Sequence, residues 1–238
     1  VIDQLLDGNV INVEHLEGCP VHEHHFPQGW TNLTEVNLLY TLAKNVEGPV
    51  LEIGPWLGRS TLAIAAAIRD SGKETPFDTI DYGPTSIAEW NEMFGDTFSA
   101  FLDNDAVVRS IHTKGGSTAV LIDTIRNAGL LQYVTTFVRG DFLKVPKRSS
   151  YSMIFCDTLH DEREIHAYGA AINELLEPGG WLLCDDIYDE RLGTILQKYI
   201  ACDLVGYSKD VDEYSKFMVA RKAGGTTQTP PTYEEATV

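Results

Sequence analysis

The chain has 238 residues, with 35 acidic side chains against 18 Lys and Arg, a formal net charge of −17. Such a charge argues against a nucleic-acid polyanion or an anionic membrane surface as partner, and no apolar run approaches a membrane span. Hydrophobic content of 43% and charged content of 22% are those of an ordinary globular protein with a full core.

Residues 1–30 read as irregular and hold the cluster Cys19-Pro-Val-His22-Glu-His24-His25. Its spacing matches no strong zinc pattern. A helix follows over 31–45, with Leu33, Val36, Leu39, Tyr40 and Ala43 on one stripe. Gly48-Pro49 breaks it, and Val50–Ile53 reads as a buried strand. Gly54–Gly58 is a tight turn that opens into an Ala-rich helix over 60–70. Phe77–Asp81 is a second strand, 84–129 is mostly helical with breaks near Gly95 and Gly115-Gly116, and Tyr133–Val138 is a third strand ending in Gly140-Asp141. A helix over 189–200 precedes a hairpin-like pair, Leu204–Ser208 and Phe217–Arg221. The Gly-, Thr- and Pro-rich stretch from Ala223 has no periodicity and is expected to be disordered. The alternation predicts a doubly wound α/β sheet over 31–222, between an N-terminal segment (1–30) and a tail (223–238).

Between these elements lie two apolar runs that end in acids. Tyr151–Cys156 runs into Asp157-Thr-Leu-His160, and after one helix length Glu177-Pro-Gly-Gly180 turns into Trp181-Leu-Leu-Cys-Asp185-Asp186. Joined by a helix, they read as parallel neighbours about 4.8 Å apart. Their carboxyl ends share the edge where open α/β sheets bind ligands. Strand-end acids also cap helices or face water, but three converging carboxylates cannot all ionise without a cation. All-oxygen ligands favour a hard ion such as Mg2+, so Asp157, Asp185 and Asp186 are the expected metal ligands. Cys156 and Cys184 lie inside these runs as small hydrophobes. With four cysteines in no disulfide framework and no visible signal peptide, a reducing, cytoplasmic setting is expected.

Val-Leu-Glu52-Ile-Gly54-Pro55-Trp56-Leu-Gly58-Arg-Ser60 is a strand, a glycine turn and a helix N-terminus. Glycine lets backbone approach a ligand, and the helix end offers free N–H groups. A dinucleotide site wants Gly-x-Gly-x-x-Gly; here position 56 is Trp and the third glycine is absent. Asp81, ending the next strand, stands where ribose hydroxyls would be held, and Asp141, ending the third strand, is a candidate to meet an adenine amino group.

Taken together, Glu52-x-Gly54-x-x-x-Gly58, Asp81, Asp141 and Pro178-Gly-Gly resemble the class I S-adenosylmethionine (SAM)-dependent methyltransferases. The acid set narrows the resemblance to metal-dependent O-methyltransferases similar to the catechol, macrolide-sugar and coumarin-antibiotic enzymes, over roughly residues 31–220. It implies a single-domain Rossmann-like fold with a mostly parallel seven-stranded sheet and helices on both faces, and an N-terminal segment (1–30), where the relatives vary most, folded over cofactor or substrate as a lid. It also implies that Gly54 and Ser60 contact the methionine portion of SAM, with Pro55 and Gly58 in the same turn and Glu52 orienting it. Trp56 would lie near the sulfonium. Asp81 would grip the ribose with Tyr82 following it, Asp141 and Phe142 would border the adenine, and Asp157 and Thr158 would face the cofactor. The family places a base three residues after the first metal acid. The catechol enzymes have Lys there and Asn at the second position of the doublet; this chain has His160, as in the sugar-directed relatives, and Asp186. A catechol is therefore not the expected acceptor. His160 as base and His160 as a helix cap both remain open.

The resulting expectation is Mg2+-dependent methyl transfer from SAM to a hydroxyl of a small acceptor, a sugar, polyketide or similar natural product, with His160 and Asp157 at the chemistry. Arg191, Tyr188 and the 84–116 insertion are candidates for shaping the acceptor pocket. A homodimer is the default assembly. A NAD-linked oxidoreductase and a non-catalytic SAM-binding module are the rivals.

Overall fold

The computed structural model describes residues 4–95, 105–188 and 190–225. The N-terminal stretch expected to be irregular contains a small antiparallel hairpin, β1 (Leu6–Asp7) with β2 (Val10–Ile11). Leu5, Leu6 and Ile11 are buried in the main core. Helix α1 (Leu33–Asn45) starts from a capping box: Asn32 accepts from the Glu35 N–H at 3.0 Å, and Glu35 accepts from the Asn32 N–H at 2.8 Å. Strand β3 (Val50–Ile53) is buried along its length and leads through the glycine turn into α2 (Arg59–Ser71). Then come β4 (Phe77–Asp81), α3 (Ile87–Phe94), α4 (Asp105–His112), α5 (Gly116–Asn127) and β5 (Thr136–Arg139). The strand expected from Tyr133 starts at Thr136, where pairing with Asp78 of β4 begins. Leu131–Tyr133 form a 3-10 turn instead.

The second half holds β6 (Tyr151–Cys156), α6 (Glu162–Leu175), β7 (Leu176–Cys184), α7 (Glu190–Gln197), β8 (Cys202–Tyr207) and β9 (Met218–Lys222). Part of the expected tail, residues 226–238, lies outside the described residues. The Glu177–Gly180 turn is a bulge within β7. Leu176 pairs with Tyr151 and Trp181 with Met153, so the residues between them bow out.

One seven-stranded sheet carries the order β5-β4-β3-β6-β7-β9-β8, parallel except for β9, which runs antiparallel to both neighbours. Apolar side chains alternate between its faces. Phe155, Leu183 and Val219 meet α1 and α2, while Ile154, Leu182 and Ala220 meet α6 and α7. The sheet is therefore covered on both sides, which suits the near-continuous apolar runs read from the sequence. Chain order reverses between β3 and β6, and such a switch point opens a crevice at the carboxyl edge. Among the described residues no helix is long and apolar enough to cross a membrane, and all four cysteines are free.

Candidate functional site

The parallel register brings the acid-ended strands into line. Ile53 pairs with Ile80 and with Cys156, and Cys156 pairs with Cys184. The residues just beyond, Gly54, Asp81, Asp157 and Asp185, therefore sit along one edge. They border a cavity of about 900 Å³, within the range of small-molecule and cofactor sites. Gly54, Pro55, Trp56, Ser60, Asp81, Tyr82, Asp141, Phe142, Asp157, Thr158, His160, Asp185 and Asp186 all line it. Glu52 and Gly58 stand behind the wall.

The turn's geometry explains its glycines. Gly54 has φ of 85°, and a Cβ there would lie 2.5 Å from the Asp157 carbonyl oxygen; only glycine lets β3 and β6 stay this close. Trp56 also adopts positive φ, 44°. Behind the turn, Glu52 is fully buried and accepts from Ser60 Oγ at 2.5 Å and Thr61 Oγ1 at 2.7 Å. It thus ties β3 to the first turn of α2, while burial pushes its carboxyl up to about 7.

Asp81 accepts from the Gly83 N–H at 3.0 Å through Oδ1. Its Oδ2 is buried and has no hydrogen-bond partner among the described residues. Burial raises this carboxyl to about 6, against the pull of the Gly83 and Trp56 amides and of Arg139. A buried acceptor left unpaired costs free energy that a ligand hydroxyl would recover. At the third strand's end, Asp141 accepts from the Leu143 N–H at 2.9 Å and pairs with Lys144 at 2.8 Å, which holds its pKa down. Phe142 is buried beneath it, tilted against Tyr168.

Farther along the edge, one ligand atom each from Asp157, His160 and Asp186 lies within 4.8 Å of the others, the one metal-capable group of three among the described residues. Burial and the nearby Asp185 push the Asp157 carboxyl up. His160 Nε2 lies 3.9 Å from Asp157 Oδ1 and 3.7 Å from Asp186 Oδ2. Its backbone N–H and its Nδ1 both meet Glu164 Oε2, at 2.7 and 3.0 Å. That hydrogen bond raises the imidazole to about 9. The cap of α6 is Asp161, which accepts from the Glu164 N–H, so the helix-capping role weighed for His160 belongs to its neighbour. Asp185 is outside the trio. It is only 3% exposed and is held by Lys216 Nζ at 3.0 Å, and the same ammonium reaches Asp186 at 2.9 Å. The group nearest a metal's requirement is thus two carboxylates, Asp157 and Asp186, which suit a hard divalent ion, beside an imidazole whose Nε2 can either ligate or accept a proton.

The N-terminal segment reaches the cavity through Gln28–Thr31. Arg59 holds it there, with Nε donating to the Thr31 carbonyl at 2.6 Å and the guanidinium 5.0 Å from the Phe26 ring centre. Trp30 stacks on Trp56, centroids 4.6 Å apart. From the insertion, Pro84, Trp90, Met93 and Val107 line the cavity, whereas Tyr188 and Arg191 do not. In the Cys19–His25 cluster, His22 and His24 approach through Nδ1 at 2.6 Å, but among the described residues Cys19 joins no metal-capable group of three. Sequence reading missed Lys216, Glu164, Trp30 and Arg59. Glu164 carried a signal, four residues after His160 on a helix start.

A family model described as a methyltransferase domain matches residues 51–187, more than half of the chain. The chain belongs to this methyltransferase family. The matched span runs from β3 through the acidic doublet, the region that builds the edge described above. Among solved structures, the O-methyltransferase NovP is 16% identical, with a TM-score of 0.56 and 81% of each chain covered. An O-methyltransferase from Bacillus cereus, solved with SAH, is 15% identical with a TM-score of 0.50, covering 84% of this chain and 85% of that one. An O-methyltransferase family protein from Burkholderia thailandensis is 14% identical, TM-score 0.52, covering 80% of this chain and 56% of the other. At these identities the likeness is one of fold, and it agrees with the expected Rossmann-like methyltransferase architecture. A search of curated protein sequences found no significant match.

Proposed function

We propose that this methyltransferase uses SAM, with a divalent ion such as Mg2+, to methylate a hydroxyl of a small, natural-product-like acceptor. The observation that carries the reading is the unpaired, buried Asp81 Oδ2 on the same cavity as the Asp157, His160 and Asp186 trio. One end offers an acceptor for a ribose hydroxyl, the other a place for a cation and a base. When bound, SAM supplies a methyl group on a sulfonium, and the ion supplies Lewis acidity that lowers a hydroxyl's pKa.

The chain's own residues divide the rest of the work. Asp81 would accept from the ribose, Asp141 and Phe142 would flank the adenine, and Gly54 with Ser60 would face the methionine portion at the α2 N-terminus. Asp157 and Asp186 would hold the ion. His160, fixed through Nδ1 by Glu164, would take the acceptor's proton at Nε2, which faces the acids, when neutral, a form that its raised pKa places on the alkaline side. Trp30, Trp56 and the Arg59-held segment 26–31 would wall the reacting atoms from water and keep them in near-attack geometry. His160 and Asp186, standing where the catechol enzymes have Lys and Asn, favour a sugar or polyketide hydroxyl over a catechol.

The test is calorimetric titration with SAM, S-adenosylhomocysteine and NAD, with and without Mg2+, followed by turnover of hydroxylated acceptors in excess chelator. Micromolar binding of SAM, and turnover that chelator abolishes and Mg2+ restores, is the expected result. Tighter binding of NAD would overturn the reading; full turnover in chelator would remove the ion from it.

A further inference from the structure

The methyl transfer outlined above has no task for Lys216, yet this side chain stands inside the acid cluster. Its place is set by the sheet. Strand β9 is antiparallel to β7, and their last pair at this end is Cys184 with Met218. Two residues outward on each strand come Asp186 and Lys216, so the register itself faces them to one another. The loop is also pinned from behind. The Lys216 N–H donates to Glu35 Oε1 at 2.6 Å, and the same Glu35 carboxylate closes the capping box of α1. This is a fixed ammonium and not a roaming surface lysine.

Asp186 is shared. Its Oδ1 is 2.9 Å from Lys216 Nζ, and its Oδ2 is 3.7 Å from His160 Nε2 in the metal-capable trio. Asp185 is committed to the ammonium through Oδ1 at 3.0 Å, and the Asp186 N–H donates to that same oxygen at 2.7 Å. An ion held by Asp157 and Asp186 would share a carboxylate with a second cation, and ligation by Asp185 would have to displace it. Like charges on one carboxylate repel, most strongly where water is scarce.

We propose that Lys216 is a tethered counter-cation that holds the Asp185–Asp186 doublet in place without metal and weakens the site's grip on a divalent ion. The inference rests on the metal reading of the proposed function, and its test separates the two. Mn2+ is titrated calorimetrically into the full chain and into Lys216→Met, Lys216→Gln and Lys216→Arg, and each protein is melted without metal. Met and Gln should bind Mn2+ more tightly than the parent, roughly 5- to 150-fold, the usual span of a coupling between sites. Arg should stay near the parent. Without metal, Met should melt lower than the parent, because a buried acid has lost its partner, and Mn2+ should restore it. The Gln variant, which keeps a donor, serves if Met fails to fold. Parent-like or weaker Mn2+ binding in both neutral variants overturns the inference while leaving the metal reading intact. Absence of Mn2+ binding in all four proteins overturns both.

Discussion

Replacing Glu52 by Gln should stabilise the protein, and increasingly so as pH rises. The side chain is fully buried between β3 and α2, and burial lifts its carboxyl from an ordinary value of 4.5 to about 7. Because the folded state holds this proton more tightly than the unfolded chain, stability is fully present below about pH 4.5. It is lost as pH rises through about 7. At about 1.4 kcal/mol per pH unit, that gap is worth on the order of 3 kcal/mol. Gln has nearly the same shape, keeps an acceptor for one of the Ser60 and Thr61 hydroxyls and offers a donor to the other. It never ionises. For a chain of this size about 1 kcal/mol moves the melting temperature by roughly 2–4 °C. The two proteins should therefore melt together near pH 4.5, and the Gln variant should be roughly 6–12 °C ahead by pH 8. Thermal melts by circular dichroism across pH 4.5–8 measure the difference, in which Glu35, also raised by burial, enters each protein alike, while Asp81, whose charge helps to raise Glu52, adds a smaller contribution of the same sign. Glu52→Ala is the control. It strands two hydroxyls and opens a cavity, so it should melt lower at every pH. A Gln-minus-parent difference that stays flat with pH would refute the claim that a buried, ionising carboxylate ties the turn to the helix.

Asp81→Ala should weaken SAM binding by about ten- to hundredfold, the worth of a hydrogen bond to a charged group, while leaving the melting temperature intact because burial already penalises this carboxylate; calorimetry and melting together decide. Gly54→Ala should cost about 2–5 kcal/mol in denaturant unfolding, since it adds left-handed strain to a Cβ placed 2.5 Å from the Asp157 carbonyl. Gly72→Ala, at φ of 66° with nothing within 4 Å, should cost only the strain, and equal losses at the two sites would show that the close approach does not matter. Glu164→Gln should move the acidic limb of the kcat/KM profile to lower pH, because Glu164 is the main group raising His160 to about 9; an unmoved limb would assign it to another group.

Much of the edge was legible because its parts sit where apolar runs stop. Asp81, Asp157 and Asp185 each end a buried strand, and a parallel sheet must align such ends. The glycine turn was legible for a similar reason, as a strand, a break and an Ala-rich helix in sequence. What escaped depends on pairing between distant segments. Lys216 precedes a strand that inserts between β7 and β8, and the strand order does not follow chain order there. The expected hairpin-like pair was found as β8 and β9, but β9's second neighbour, the acid-bearing β7, was not visible from their spacing. The segment 26–31 has no periodicity, so nothing announced that Arg59 would hold it by a backbone carbonyl. The bulge in β7 escaped because Pro178-Gly-Gly reads locally as a stop, while the neighbouring strand continues past it.

The late position of β9 bears on how the molecule comes into being. The acidic doublet at 185–186 leaves the ribosome some thirty residues before the ammonium that neutralises it. Until β9 pairs, the outer edge of β7 is open and the doublet lacks the Lys216 ammonium. The closing piece of the sheet is also its charge balance, and both are delivered in one step. Strand insertion across so long a separation is a slow, non-local event, so the open edge of β7 and the uncompensated charge of its doublet are closed together when β9 pairs.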